Sequence, residues 1–167
     1  MIKRIFFLIP LLVLIIGCSG FEFVYNAASF DKINEKTLFS ISGNDRDVIN
    51  SYLLNKVGRV GSDPAYILSI ASTRSIEAAV IEADATASKF MIKHDLKYTL
   101  NNMSKNCIVF EKNILTRILY DAKSAGYSFG TDLAEKELST KNLHSNIDQF
   151  LNELSINYNY LKCKNEG

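Results

Sequence analysis

The strongest constraint on the fold of this chain is the stretch 88–100, in which apolar and polar side chains alternate. Its even-numbered positions include five apolar residues: Phe90, Ile92, Leu96, Tyr98 and Leu100. Its odd-numbered positions include four charged residues: Lys89, Lys93, Asp95 and Lys97. Successive side chains of a β-strand point to opposite faces of a sheet. The pattern therefore predicts a strand with one apolar face and one solvated, basic face.

Three further segments are predicted to be strands. Residues 66–81 form a long extended run, and residues 37–42 are a weaker candidate. Residues 107–121 follow a turn at 101–106 and carry apolar side chains on their even face: Ile108, Phe110, Ile114, Ile118 and Tyr120. Long consecutive strands joined by short turns predict an antiparallel meander, and such a sheet can leave one face in water.

Two amphipathic helices are predicted, one before the long strands and one after them. In the first, apolar residues recur every three or four positions: Val48, Ile49, Tyr52, Leu53, Val57 and Val60. The turn residues 43–45, Gly-Asn-Asp, offer an N-cap. Gly61 and Pro64 are expected to end this helix.

The second helix is predicted to begin near Asp132, which stands at capping-box spacing from Glu135. Its apolar stripe continues over several turns: Leu143, Ile147, Phe150, Leu151, Leu154 and Tyr158. We interpret this stripe as a core face on the sheet rather than as a partner-binding zipper. A mostly antiparallel meander sheet with two helices packed on one face predicts an α+β fold, a two-layer sandwich.

The beginning of the chain carries the features of a bacterial lipoprotein signal. Lys3 and Arg4 precede the apolar run 5–16, which is too short to span a bilayer but has the length of a signal-peptide core. Residues 14–18, LIIGC, resemble the lipobox, in which cleavage precedes a cysteine that becomes acylated. An uncleaved core segment with an ordinary buried cysteine is the alternative. Ser19 favours the outer membrane over the inner one.

We expect four parts: a cleaved signal peptide at 1–17, a lipid-anchored tether at 18–36, one α+β domain at 37–161 and a tail at 162–167. The signal removes two of the 19 basic residues, which leaves 17 against 18 acidic residues. This balance provides no overall basic excess for nucleic acid, so any anion site must be a local patch.

No metal-binding pattern is evident in the sequence. His94 and His144 are far apart, and glycine-rich phosphate loops, CxxC and HExxH motifs are absent. We expect no metal, no cofactor and no enzymatic activity. His94 falls on the apolar face of the alternating strand, where a hydrogen-bonded core histidine is a better interpretation than a ligand.

The order of these parts resembles the LptE family of lipopolysaccharide-assembly lipoproteins, especially its alphaproteobacterial branch. The resemblance covers nearly the whole chain through order and spacing. The residues that carry it are Cys18 with Gly20, Phe21 and Tyr25, then Arg46–Leu54, Tyr66–Ile70, Tyr98-Thr99-Leu100 and the loop into Ala134.

The resemblance implies an outer-membrane lipoprotein, anchored on the periplasmic side, that acts in lipopolysaccharide transport. Proteins of this family plug a large β-barrel, LptD, assist its assembly and contact lipopolysaccharide. Two alternatives stay open. One is an auxiliary lipoprotein of an ABC-type lipid or solute transport system, and the other is a periplasmic lipid-modifying enzyme.

Three lysines on the solvated face of the alternating strand are candidate lipopolysaccharide ligands: Lys89, Lys93 and Lys97. Residues two apart on one face are about 6.6–6.8 Å apart along a strand, so the first and last lie roughly 27 Å apart. Such a stripe offers ammonium groups to lipid phosphates. The alternative is a solvated face that only keeps the sheet from aggregating.

Cys107 and Cys163 are a candidate disulfide pair. The strand 107–121 spans about 46–48 Å, and a helix over 132–163 spans about 46 Å. If the helix folds back antiparallel over this strand, the two cysteines meet, and a bridge would persist in an oxidising periplasm. Two free thiols are the alternative, because strand twist or a diagonal helix would separate them.

We predict that Cys18→Ala abolishes lipidation and leaves the precursor unprocessed or the product unanchored, because the substitution removes the acylated sulfur. Incorporation of radiolabelled palmitate measures this directly. Equal labelling of the wild-type chain and the variant would contradict the lipobox interpretation.

Overall fold

The computed structural model describes residues 33–85, 87–121 and 128–164, with the side chains of 128–131 left out of that description. The order of elements is β1 (Thr37–Gly43), α1 (Arg46–Val57), β2 (Tyr66–Ile81), β3 (Ala87–Asn102), β4 (Cys107–Asp121), α2 (Ser128–Asn157) and a short 3₁₀ turn at Tyr158–Tyr160. The predicted signal peptide, Cys18 and most of the predicted tether lie outside the described residues.

The four strands form one sheet in the order β1-β2-β3-β4. The meander of β2, β3 and β4 is antiparallel, as predicted. β1 adds a parallel edge, with Thr37 opposite Tyr66 and Gly43 opposite Ser72, so the sheet is mixed. A parallel neighbour requires a crossover connection, and α1 supplies it. The fold is therefore an α+β sandwich of two layers.

The alternation in β3 separates the two faces of the sheet. Its even-numbered side chains from Ile92 to Leu100 are buried under the helices, whereas Lys89, Asp95 and Lys97 are exposed on the other side. We call the helix-covered side the inner face and the other side the outer face. Residues that pair directly across strands share a face, so the register assigns the side chains of β2 and β4 as well.

A β-bulge corrects the prediction for the start of β4. Leu100 pairs with Phe110, but the next residue, Asn101, pairs with Ile108, so Val109 is an extra residue. One extra residue reverses the faces of the side chains before it. Ile108, predicted on the apolar face, therefore lies opposite outer-face Asn101. Cys107 moves to the inner face and packs against the core.

The first helix begins where the sequence predicted and ends earlier than predicted. It begins at Arg46, and its N-cap residue Asp45 has a left-handed conformation with no capping bond from its side chain. It ends at Val57, not at the predicted Gly61 and Pro64, because Gly58 takes a φ of 82° and its N–H closes the last turn on the carbonyl of Leu54.

The second helix begins at Ser128, earlier than the predicted start at Asp132. Asp132 is thus inside the helix, and the predicted capping box with Glu135 is wrong; Glu135 instead accepts a hydrogen bond from the Tyr120 hydroxyl. The predicted stripe is a core face, as expected. Five of its residues are buried in α2, and Tyr158 packs beside them from the 3₁₀ turn.

One hydrophobic core lies between the inner face and the helices. α1 contributes three fully or nearly buried residues: Ile49, Leu53 and Val57. Ile33, which was assigned to the predicted tether, also belongs to this core. The Tyr98 ring stacks on Phe150 with centroids 4.0 Å apart, and this contact fastens the middle of α2 to β3.

Gly43 ends β1 and provides a test of this packing. Its φ is 89°, and a Cβ atom there would overlap the Ser72 carbonyl of β2. Gly58 also has a positive φ, but a Cβ there would meet its nearest neighbour at 3.9 Å.

We predict that Gly43→Ala lowers the free energy of unfolding by about 2–3 kcal/mol more than Gly58→Ala, because only the Gly43 substitution forces β1 and β2 apart. Denaturant titration measures both, and equal losses would contradict the argument.

Candidate functional site

The three predicted lysines lie along the outer face, but each is paired with a carboxylate from a neighbouring strand. Lys89 lies 3.3 Å from Asp121, and Lys97 lies 2.9 Å from Glu111. Lys93 pairs with Glu77 of β2. The structure thus keeps the lysines on one face and neutralises each locally. Exposed pairs of this kind contribute about 0–1 kcal/mol, so a competing anion could exchange with the carboxylates at little cost.

The outer face also carries large apolar side chains from β4. Leu115 is 43% exposed and Leu119 is 53% exposed. Leu119 pairs with Met91 of β3, and Arg117, between the two leucines, pairs with Lys93. We define the outer patch as these five residues: Met91, Lys93, Leu115, Arg117 and Leu119. It combines an apolar surface with two cations.

A second cationic feature lies on the outer face, toward the start of β4. Lys97 and Lys164 contact the two oxygens of the Glu111 carboxylate at 2.9 and 3.1 Å. Lys97, followed by Lys164, holds the pKa of Glu111 below its ordinary value. A shallow depression beside Glu111 is lined by Ala71, Thr73, Asp95, Lys97, Lys112 and Asn113. Two ammonium groups share one carboxylate here, although Asp95 lies in the same depression.

The structure joins Cys107 and Cys163 in a disulfide, with Cα atoms 5.5 Å apart. α2 runs antiparallel over β4, as the sequence argument required: the Tyr120–Glu135 contact lies at one end and the Lys112–Glu153 ion pair lies toward the other. The residues after α2 are fastened to β4. The Lys164 N–H donates to the Ile108 carbonyl at 2.9 Å.

His94 is a buried core histidine, as interpreted from its position. Asn142 of α2 places its amide nitrogen 3.0 Å from His94 Nδ1, and Ser139 Oγ lies 3.3 Å from Nε2. Because Nδ1 accepts from Asn142, the ring proton lies on Nε2. Asp45 Oδ2 lies 3.5 Å from the same nitrogen. Burial is the largest cause that lowers the pKa of His94 below its ordinary value.

Asn146 is the most connected buried polar side chain of α2. Its Nδ2 donates to the Ile114 carbonyl at 2.8 Å and to Thr116 Oγ1 at 3.1 Å, and it lies 3.3 Å from the His94 carbonyl. Its Oδ1 accepts from the Tyr98 hydroxyl at 2.8 Å. One side chain therefore ties α2 to both β3 and β4. Burial raises the pKa of Tyr98, which keeps that hydroxyl protonated.

Of the outer patch, sequence reasoning identified Lys93 and missed the other four residues. Leu115 and Leu119 are odd-numbered residues of β4, whereas the apolar pattern that predicted this strand lies at its even, core-facing positions. Two leucines on the nominally polar face were the available signal. The carboxylate partners of the lysines were not identifiable, because they depend on the register between strands.

Within residues 33–85, 87–121 and 128–164, no group of three or more His, Cys, Asp or Glu side chains could hold a metal ion. The described helices include none that is both long and apolar enough to cross a bilayer.

We predict that Asn146→Ala lowers the free energy of unfolding by about 3–5 kcal/mol. The substitution leaves the Tyr98 hydroxyl and the Ile114 carbonyl without these hydrogen-bond partners, and each unpaired buried group costs about 1–3 kcal/mol. Tyr98→Phe is the matched variant, which retains the ring stacked on Phe150 and should cost less. Denaturant titrations of both variants and the double variant measure the coupling. Strictly additive losses would show that the two side chains do not act together.

No protein-family model matches this sequence, and no curated protein matches it. Several solved structures are similar. A Caulobacter crescentus protein assigned as a lipoprotein has 16% identity and a TM-score of 0.58, covering 81% of this chain and 98% of its own. A minor lipoprotein from Acinetobacter baumannii has 15% identity and a TM-score of 0.57, covering 75% of this chain and 95% of its own. Rare lipoprotein B from Shewanella oneidensis has 13% identity and a TM-score of 0.54, covering 74% of this chain and 98% of its own. The chain shares the fold of these proteins.

Proposed function

We propose that this chain is a lipid-anchored outer-membrane lipoprotein of lipopolysaccharide assembly, acting as plug and assembly partner of an LptD-like β-barrel. It acts by binding rather than by catalysis. Two observations made independently of each other support the proposal. The sequence carries a lipobox at Cys18 and resembles the LptE family along nearly its whole length, and the similar solved structures are named as lipoproteins.

The observation that carries the proposal is the asymmetry of the sheet. Both helices pack on the inner face, while no helix of the described residues covers the outer face of the three long strands. On that open face, Leu115 and Leu119 lie beside Lys93 and Arg117. A surface with exposed apolar side chains next to cations fits an amphipathic, anionic molecule.

Lipopolysaccharide has that chemistry, because it combines acyl chains with phosphate groups. Its acyl chains would cover the leucines, and its phosphates would compete with Glu77 for Lys93 and Arg117. Arg117 already lies close enough to lower the pKa of Glu77, after the larger effect of Lys93. Two cations around one carboxylate leave a local positive charge, which favours an incoming phosphate.

The position of the anchor is compatible with this role. Fourteen residues, 19–32, separate Cys18 from the first described residue. Fully extended, such a segment reaches at most about 50 Å. An acylated Cys18 would therefore hold the domain close to the membrane and still allow it to enter a barrel.

We predict that Leu115→Asp weakens binding of purified protein to lipopolysaccharide about tenfold, because the burial of one leucine contributes about 1.5 kcal/mol and the new carboxylate repels phosphate. Ile156→Asp is the matched control: Ile156 is 65% exposed but lies on α2, in the other layer. Fluorescence titration with labelled lipopolysaccharide gives both affinities. The outer face would be excluded as the contact surface if both variants bound like the wild-type protein or lost affinity equally.

A further inference from the structure

Three elements meet at the His94 ring, and this junction has no role in the proposed function. β3 provides the imidazole, α2 provides Ser139 and Asn142, and the turn before α1 provides Asp45. The His94 side chain is completely buried. We propose that His94 is a proton-sensitive clasp: neutral, it ties α2 to the sheet through Asn142, and protonated, it releases Asn142 and strengthens its contact with Asp45.

The geometry on the Nδ1 side explains the release. A neutral ring accepts a hydrogen bond at Nδ1 from the Asn142 amide nitrogen, which lies 3.0 Å away. Protonation places a hydrogen on Nδ1, so two donors would then face each other. The conflict is relieved only when Asn142 rotates its amide or α2 moves away from β3.

The geometry on the Nε2 side explains why the protonated ring holds Asp45 more strongly. Asp45 Oδ1 accepts from Arg74 at 3.0 Å, but Asp45 Oδ2 is buried without a hydrogen-bond partner, 3.5 Å from His94 Nε2. An unpaired buried carboxylate oxygen is costly. Nε2 carries its hydrogen in the neutral ring as well, so what protonation adds on this side is a positive charge, which attracts the Asp45 carboxylate more strongly. Asp45 is also the left-handed N-cap residue of α1, so the clasp acts on the turn into that helix.

The charged groups around the ring determine the direction of the pH effect. Asp45 from the turn favours the protonated form and Arg74 from β2 opposes it, whereas β4 and α2 present the uncharged Thr116, Ser139 and Asn142. Burial, the largest effect, lowers the pKa of His94 below 6.5. The unfolded chain therefore binds the proton more readily. The contribution of neutral His94 to the free energy of unfolding is therefore complete above pH 6.5, and it is lost as the pH falls from 6.5 toward the pKa of His94 in the folded state.

The test uses His144→Gln as the background, because His94 is then the only histidine in the chain. His144 must be removed because burial also lowers its pKa. Between pH 7.5 and 5.5, we expect the folding equilibrium constant of this variant to fall by up to tenfold per pH unit below 6.5. Amide hydrogen exchange, corrected for its intrinsic pH dependence, should accelerate first in α2 around Asn142. Exchange that accelerates uniformly, or in β2 and β3 before α2, would overturn the proposal.

Adding His94→Gln should remove this pH dependence, and a dependence that persists would overturn the clasp. A second variant keeps the proposal testable if that one fails to fold. In Asn142→Asp, the carboxylate would accept from a protonated Nδ1, so the NMR-detected pKa of His94 should rise above that of the background and the acid-induced loosening of α2 should disappear. An unchanged His94 pKa in Asn142→Asp would refute the assigned role of Asn142.

Discussion

The docking of α2 onto the sheet depends on one amide side chain. Asn146 is fully buried, and it satisfies a carbonyl and a hydroxyl of β4 together with the Tyr98 hydroxyl of β3. Apolar residues on either side of it provide most of the buried surface, but apolar contacts are non-directional and would tolerate a shift of the helix. A buried amide tolerates no such shift, because each unmade bond has a cost. Asn146 therefore sets the position of α2 along β4.

That position has consequences at both ends of the helix. Toward its beginning, Glu135 accepts a hydrogen bond from the Tyr120 hydroxyl, and burial, followed by this contact, raises the pKa of Tyr120 to about 12. Beyond its end, Cys163 meets Cys107, which the bulge at Val109 has turned to the inner face. Without the bulge, Cys107 would point to the outer face and could not reach Cys163. The bulge and the antiparallel helix together account for the disulfide.

Much of the fold was predictable from the sequence because β-strands bury every second residue. The alternation in β3 gave its faces and its extent, and the apolar stripe gave the buried face of α2. The ends of the helices were harder to predict from the sequence. Gly58, not Gly61, ends α1 through its own backbone geometry. Asp132 has capping-box spacing from Glu135 but lies inside α2. The parallel pairing of β1 was missed because nothing in 37–42 distinguishes a parallel from an antiparallel neighbour.

The candidate site was predictable only in part, for reasons that lie in tertiary structure. The sequence placed Lys89, Lys93 and Lys97 on one face, but their carboxylate partners come from β2 and β4 and depend on the register. His94 was recognised as a core residue from its position on the even face. The contact between His94 and Asp45 was not predicted, because Asp45 belongs to a turn 49 positions earlier in the chain.

The proposed role rests on a partner, so the most direct measurement is affinity purification of the full-length, acylated chain from solubilised native membranes. Mass spectrometry of the retained proteins would identify what the domain binds. The account predicts one very large outer-membrane β-barrel in equal proportion to this chain, retained in detergent. Retention of a permease and its ATPase instead would contradict it and would favour an auxiliary lipoprotein of a transport system.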